Sequence, residues 1–244
     1  MRHLVLVRHG ESELNVVNLQ KRVFCGQFET PLTERGREQA REAGDRLAGL
    51  KYLQLRSAIS SPLERAKETL QLILGRLPRG IELLPPSDGL MERSHGLFEG
   101  RSEEDAFLEH PAYRDDPDFS GFMDHFHKYA PGGESLAVVT ARAWPVVEGL
   151  FEAGGADGPN GDVVDGDVIM VSHYNPIRCI VGRALGMPEH EILRLRVPNA
   201  IPIVLRWNND FELLEWPAVN QVISLDSSTS TPKPGPVGKA SAPS

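Results

Sequence analysis

Two uninterrupted apolar runs constrain this chain most: residues 4–7 (Leu-Val-Leu-Val) and residues 168–171 (Val-Ile-Met-Val), each ending two residues before a histidine. A strand that is apolar at consecutive positions must be covered on both faces, as central strands of a parallel sheet are. The first run ends at Arg8-His9-Gly10 and the second at Ser172-His173. Ligands of such sheets bind beyond the carboxyl ends of the strands, where strand order reverses. His9 and His173 are therefore expected on one rim.

Between these runs, helical and strand patterns alternate. Thr33 is placed to N-cap a helix in which Ala40, Ala43 and Leu47 recur. Ala58 and Ile59 form a short second strand. Ser61-Pro62 then reads as an N-cap and first-position proline for a helix with Leu63, Ala66, Leu70 and Ile73 on one face. A third strand falls around residues 81–84, and residues 134–151 read as a helix that Pro145 should kink or put out of register. Residues 154–166, rich in Gly and Asp, read as a surface loop. Pro176 opens a further helix stopped by Gly186, and Asn175 either caps that helix or touches substrate. Residues 203–207 and 211–216 suggest a closing hairpin.

The expected fold class is α/β, a three-layer sandwich with a mainly parallel central sheet, helices on both faces and an inserted cap. One domain should span residues 1–225, with the cap at about 93–133, a polar stretch of no strong period that reads as irregular. Residues 226–244, rich in Ser, Thr, Pro and Lys, read as a disordered tail.

Composition narrows the partners. The net charge of −8 argues against nucleic acid, and it requires any pocket for an anion to be locally positive. No apolar run is long enough to span a membrane, and the first residues lack a signal-peptide core, so a cytoplasmic location is expected. The two cysteines, Cys25 and Cys179, have no paired spacing, and neither a disulfide framework nor a zinc site is expected. The sequence leaves the oligomeric state open.

Phosphoryl transfer needs a nucleophile, cations around the non-bridging oxygens, and an acid for the leaving group. Neutral imidazole can attack through one nitrogen while the other donates a hydrogen bond that fixes the tautomer. Arginine's planar fork suits phosphate oxygens. Arg8, His9, Arg65, Glu92 and His173 fill this list if they converge, although spacing alone does not prove it.

The segment 8–15, Arg-His-Gly-Glu-Ser-Glu-Leu-Asn, resembles the defining motif of the histidine phosphatase superfamily, in its phosphoglycerate mutase-like branch. Further motifs follow in the same order: Thr33-Glu34-Arg35-Gly36, Ser61-Pro62-Leu63-x-Arg65-Ala66-x-x-Thr69, Glu92, residues 131–135, and Ser172-His173-Tyr174-Asn175. The resemblance covers roughly residues 3–207. It implies that His9 accepts the phosphoryl group, that Arg8, Arg65 and His173 bind its oxygens, and that Glu92 is the acid and then the base for water. It also implies that Asn15, Cys25 and Gly26 line the pocket, and that neither metal nor cofactor is used. His95, three residues from Glu92, is the best placed of the cap histidines to position substrate.

The same chemistry serves a mutase, which returns the phosphoryl group to substrate, and a phosphatase, which gives it to water. Residues 99–131 contain nine acidic and three basic residues, a balance of −6. A lid of that sign disfavours a second phosphate. The branch's mutases carry a lysine about where Glu103 stands, and an Arg-Arg pair in the cap that is missing between Arg93 and Gly133. The expectation is a phosphomonoesterase acting on a small, soluble phosphate ester. A mutase-type isomerase is the first rival, and a catalytically silent binding module on the same fold is the second. Phosphoprotein phosphatase activity also stays open.

Overall fold

The computed structural model describes residues 1–117, 119, 121–151 and 166–216. The loop expected at 154–166, except Gly166, and the tail expected at 226–244 lie outside them.

Six strands form one sheet: β1 (Arg2–Arg8), β2 (Leu55–Ser60), β3 (Glu82–Leu83), β4 (Asp167–Ser172), β5 (Ile203–Trp207) and β6 (Phe211–Glu215). Their order is β3-β2-β4-β1-β5-β6. The first four are parallel, whereas β5 runs antiparallel to β1 and pairs with β6 as the expected hairpin. Among the described residues the α-helices are α1 (Glu13–Gln20), α2 (Glu34–Gly49), α3 (Glu64–Leu74), α4 (Glu103–Glu109), α5 (Leu136–Phe151), α6 (Tyr174–Ala184) and α7 (Glu189–Arg194).

The continuous apolar runs are explained by two cores. Leu4 and Leu6 of β1, with Val168 and Met170 of β4, pack against Ala143 and Val147 of α5 and Ile177 and Val181 of α6. Val5, Val7, Ile169 and Val171 point the other way, against Ala43 and Leu47 of α2 and Ala66, Leu70 and Ile73 of α3. Successive strand side chains alternate between faces, so each run supplies both cores and the three-layer sandwich follows. No helix among the described residues is long and apolar enough to cross a membrane.

Several local readings change. The Thr33 hydroxyl caps α2 as expected, accepting from the amide of Gly36 at 3.0 Å. Ser61 does not cap α3: that helix begins at Glu64 with Leu63 at the cap position, which leaves Pro62 outside it. α6 begins at Tyr174, two residues before Pro176, and its cap position is His173, so Asn175 is not the cap. The proline still falls in the first turn, where its missing N–H has no helical partner to lose. α5 continues through Pro145, which lies on the helix's exposed side.

The cap is more ordered than its lack of period suggests. Ser102 caps α4 by accepting from Asp105 at 3.0 Å. Phe98, Ala106, Phe122 and Ala130 form an apolar cluster with Phe24. Because Phe24 comes from outside the insertion, no pattern within residues 93–133 reveals this core.

Candidate active site

The parallel register of β1 and β4 pairs Arg8 with Ser172. The next residue of each strand is a histidine, and the amide of His9 donates to the carbonyl of Ser172 at 3.0 Å. This places the rings of His9 and His173 side by side, with centroids 5.1 Å apart. β1 and β4 adjoin at the reversal of strand order, where β4 inserts between β1 and β2.

The turn after His9 is held by backbone packing. A Cβ at Gly10 would overlap the carbonyl oxygen of Gly36, and one at Gly36 would overlap the carbonyl of Glu11. The amide of Gly10 donates to the Thr69 hydroxyl at 3.0 Å, and the carbonyl of His9 accepts from Asn199 Nδ2 at 2.9 Å.

Nδ1 of His9 lies 2.7 Å from the carbonyl oxygen of Gly10. A carbonyl only accepts, so Nδ1 carries the proton and Nε2 keeps its lone pair. Burial holds the His9 imidazole well below the usual value of 6.5, and the charges of Arg8 and Arg65 push it the same way. His173 is likewise held well below 6.5 by burial and then by Arg65, His9 and Arg8. Both rings are neutral near neutral pH, as nucleophilic attack by His9 requires. His173 Nε2 lies 2.8 Å from the Ser61 hydroxyl, and its buried Nδ1 has no partner among the described residues.

Both arginines are fixed by backbone carbonyls. Arg8 Nη1 donates to Val197 at 2.9 Å, its guanidinium lies 5.2 Å from the Tyr174 ring centroid, and its buried Nε is unpartnered. Arg65 donates to the carbonyls of Phe28 and Gly26, each at 2.9 Å. A fork held in this way loses little freedom when it takes an anion. Glu92 stands at the start of α6, where its carboxylate accepts the amides of Tyr174 and Asn175, each at 3.2 Å, and that of Arg93 at 2.8 Å. Its carboxylate supplies the leading attraction on both Arg8 and Arg65.

These groups surround a cavity of about 260 Å³, lined by Arg8, His9, Arg65 and Glu92 and also by Asn15, Cys25, Gly26, His95 and Asn175. The predicted residues thus converge, and His173, fully buried, adjoins His9 without itself being part of the cavity lining. Asn15 also has a local job: its side-chain oxygen accepts from the amide of Ser12 at 3.2 Å and from Asn199 at 3.1 Å.

Sequence reasoning missed Ser61, Thr69, Asn199 and Arg142 as supports of the site. Ser61 and Thr69 stand in the same motif as Arg65, which was the available signal. Arg142 donates to the backbone carbonyl of Glu92 at 3.0 Å and pairs with Glu134 at 2.7 Å. Neither it nor Asn199 lies in a segment that pattern would have singled out. Among the described residues no group of three or more His, Cys, Asp or Glu could hold a metal ion.

Comparison with known proteins identifies the family and the fold. Residues 4–218 match the model of the histidine phosphatase superfamily (branch 1). A 2,3-bisphosphoglycerate-dependent phosphoglycerate mutase of Brucella melitensis biotype 2 is 34% identical over 212 residues, covering 86% of this chain and 94% of that protein. Among solved structures, a mycobacterial glucosyl-3-phosphoglycerate phosphatase complexed with VO3 superimposes with a TM-score of 0.67 at 27% identity, over 88% of this chain and 98% of that one. The alpha-ribazole phosphatase of Shigella flexneri gives a TM-score of 0.65 at 25% identity, over 87% and 95% of the two chains.

Proposed function

The chain belongs to branch 1 of the histidine phosphatase superfamily, and we propose that within it the protein is a phosphomonoesterase hydrolysing a small, soluble phosphate ester. The observation that carries this reading is His9 with Nδ1 tied to the Gly10 carbonyl, which leaves Nε2 as the nucleophilic nitrogen, beside two fixed guanidiniums.

Nε2 of His9 attacks phosphorus while Arg8 and Arg65 hold the non-bridging oxygens. The buried, unpartnered Nδ1 of His173 supplies a further donor to them when it carries the proton. The bond from phosphorus to the ester oxygen breaks, and Glu92, which enters this step in its protonated form, gives that oxygen its proton. Water then attacks the phosphohistidine, losing its proton to Glu92. The phosphorus–nitrogen bond breaks, inorganic phosphate leaves, and neutral His9 is restored.

A phosphoglycerate mutase is the second reading, favoured by the activity named for the Brucella relatives. The orientation of the cap cations supports hydrolysis instead. Arg101 pairs with Glu109, Arg114 lies over the Phe107 ring, and Lys128 donates to the carbonyl of Pro117. None of the three lines the cavity beside His9.

The deciding experiment measures phosphate release from sugar phosphates, nucleotides and phosphopeptides, with His9→Ala as control. The same preparation is assayed for phosphoglycerate isomerisation with added bisphosphoglycerate. Phosphate release lost in the variant supports the reading. Isomerisation without release selects the mutase, and no turnover on any substrate leaves a binding module.

A further inference from the structure

The rest of the cavity lining differs in character from the residues around His9. Apart from the residues already placed around His9, the lining includes Val23, His95 and Met123, with Asn18 and Thr30 as neutral polar groups. Among the described residues the only cations lining the cavity are Arg8 and Arg65, both beside His9. We propose that the site selects phosphate monoesters whose alcohol portion is uncharged, with His95 and Met123 forming the surface that meets this alcohol. The proposal rests on the hydrolytic reading and adds the substrate class.

Three observations converge on it. First, the basic residues just after α1 point to acidic partners on α4: Lys21 pairs with Asp105 and Arg22 with Glu103. Second, the carboxylates near the cavity are already matched to its two arginines. Glu92 lines it, and Glu29 and Glu99 add to the field that favours the charged form of Arg65. A carboxylate or second phosphate on the alcohol would be desolvated there with no further cation among the described lining residues to pair with.

Third, His95 is built to stay neutral. It is 4% exposed and packs against the rings of Phe24 and Phe122, at centroid distances of 5.6 and 5.9 Å. Burial, followed by the charge of Arg93, brings its pKa down to about 3. Neutral imidazole presents one donor and one acceptor, which suits a hydroxyl and gives an anion no charge to pair with. Its buried Nδ1 has no hydrogen-bond partner among the described residues.

The test compares glycerol 3-phosphate with 3-phosphoglycerate, which differ by a hydroxymethyl group in place of a carboxylate. The proposal expects kcat/KM to favour glycerol 3-phosphate by about tenfold or more, and calorimetric binding to the His9→Ala protein to show the same order. Equal or better use of 3-phosphoglycerate overturns the proposal while leaving hydrolysis intact. Preferential binding of glycerol 3-phosphate without turnover of either ester sinks the hydrolytic reading and supports the selectivity. If neither ester is bound nor hydrolysed, both fall. Met123→Lys should move the ratio towards 3-phosphoglycerate, and an unchanged ratio in a folded variant would overturn the assignment of this surface. Should that variant not fold, the two esters on the unaltered cavity still decide the matter.

Discussion

The Ser61 hydroxyl, wholly buried, stands 2.8 Å from Nε2 of His173. It comes from the end of β2 and the histidine from the end of β4, so one contact joins two neighbouring strands at the rim. If the hydroxyl donates to Nε2, the proton is left on Nδ1, the nitrogen without a protein partner. That nitrogen can then donate to a phosphoryl oxygen.

Ser61→Ala should therefore lower kcat by roughly ten- to a hundredfold, the kinetic equivalent of losing one buried hydrogen bond. KM should change far less, because Arg8 and Arg65 remain. Steady-state kinetics with a circular dichroism check of folding would test this. An unchanged kcat would show that His173 needs no help with its tautomer.

Replacing Gly10 by alanine puts a methyl group against the Gly36 carbonyl. The backbone must shift, at a cost of about 1–3 kcal/mol for overpacking, and His9 moves with it. Urea denaturation should show the lost stability, and the remaining folded protein should have little activity. Normal stability with normal turnover would contradict the role given to this contact.

The pocket and its mechanism were legible to different depths. The two histidines were readable because a strand buried on both faces leaves a continuous apolar run, and its end is marked by the first polar residues. Arg65 and Glu92 became readable through ordered motifs. Ser61 was misread because Ser-Pro before an amphipathic run satisfies the local rule for a helix start. Its hydroxyl serves a histidine 112 residues away instead, and a local pattern does not encode that pairing. The cap's core was missed for a similar reason, since Phe24 completes it from outside the insertion.

Acid should switch the enzyme off through His9. Its pKa in the folded protein lies well below 6.5, so kcat/KM should stay level down to about pH 6.5 and fall only in more acidic solution. The same depression affects stability: below 6.5 the unfolded chain takes up protons that buried His9 and His173 refuse, so stability falls as pH drops towards their folded values. A pH–rate profile paired with urea midpoints checks both limbs. A rate limb centred above 6.5 would contradict the neutral, desolvated nucleophile.

Glu92→Gln should reveal the acid by its dependence on leaving group. With an alkyl ester, whose alcohol needs a proton, kcat should fall by about a hundredfold or more. With p-nitrophenyl phosphate, whose phenolate leaves unaided, the first step should be much less affected, as a burst of p-nitrophenolate would show. Equal loss of the first step on both substrates would assign Glu92 to binding alone.

Trapping the intermediate tests the central claim most directly. The protein is mixed with a 32P-labelled monoester, quenched within milliseconds under denaturing alkaline conditions, and digested for peptide mapping. The account predicts label that is stable to base and labile to acid on the peptide containing His9, and none in the His9→Ala protein. Label on another residue, or undiminished hydrolysis in that variant, would contradict it.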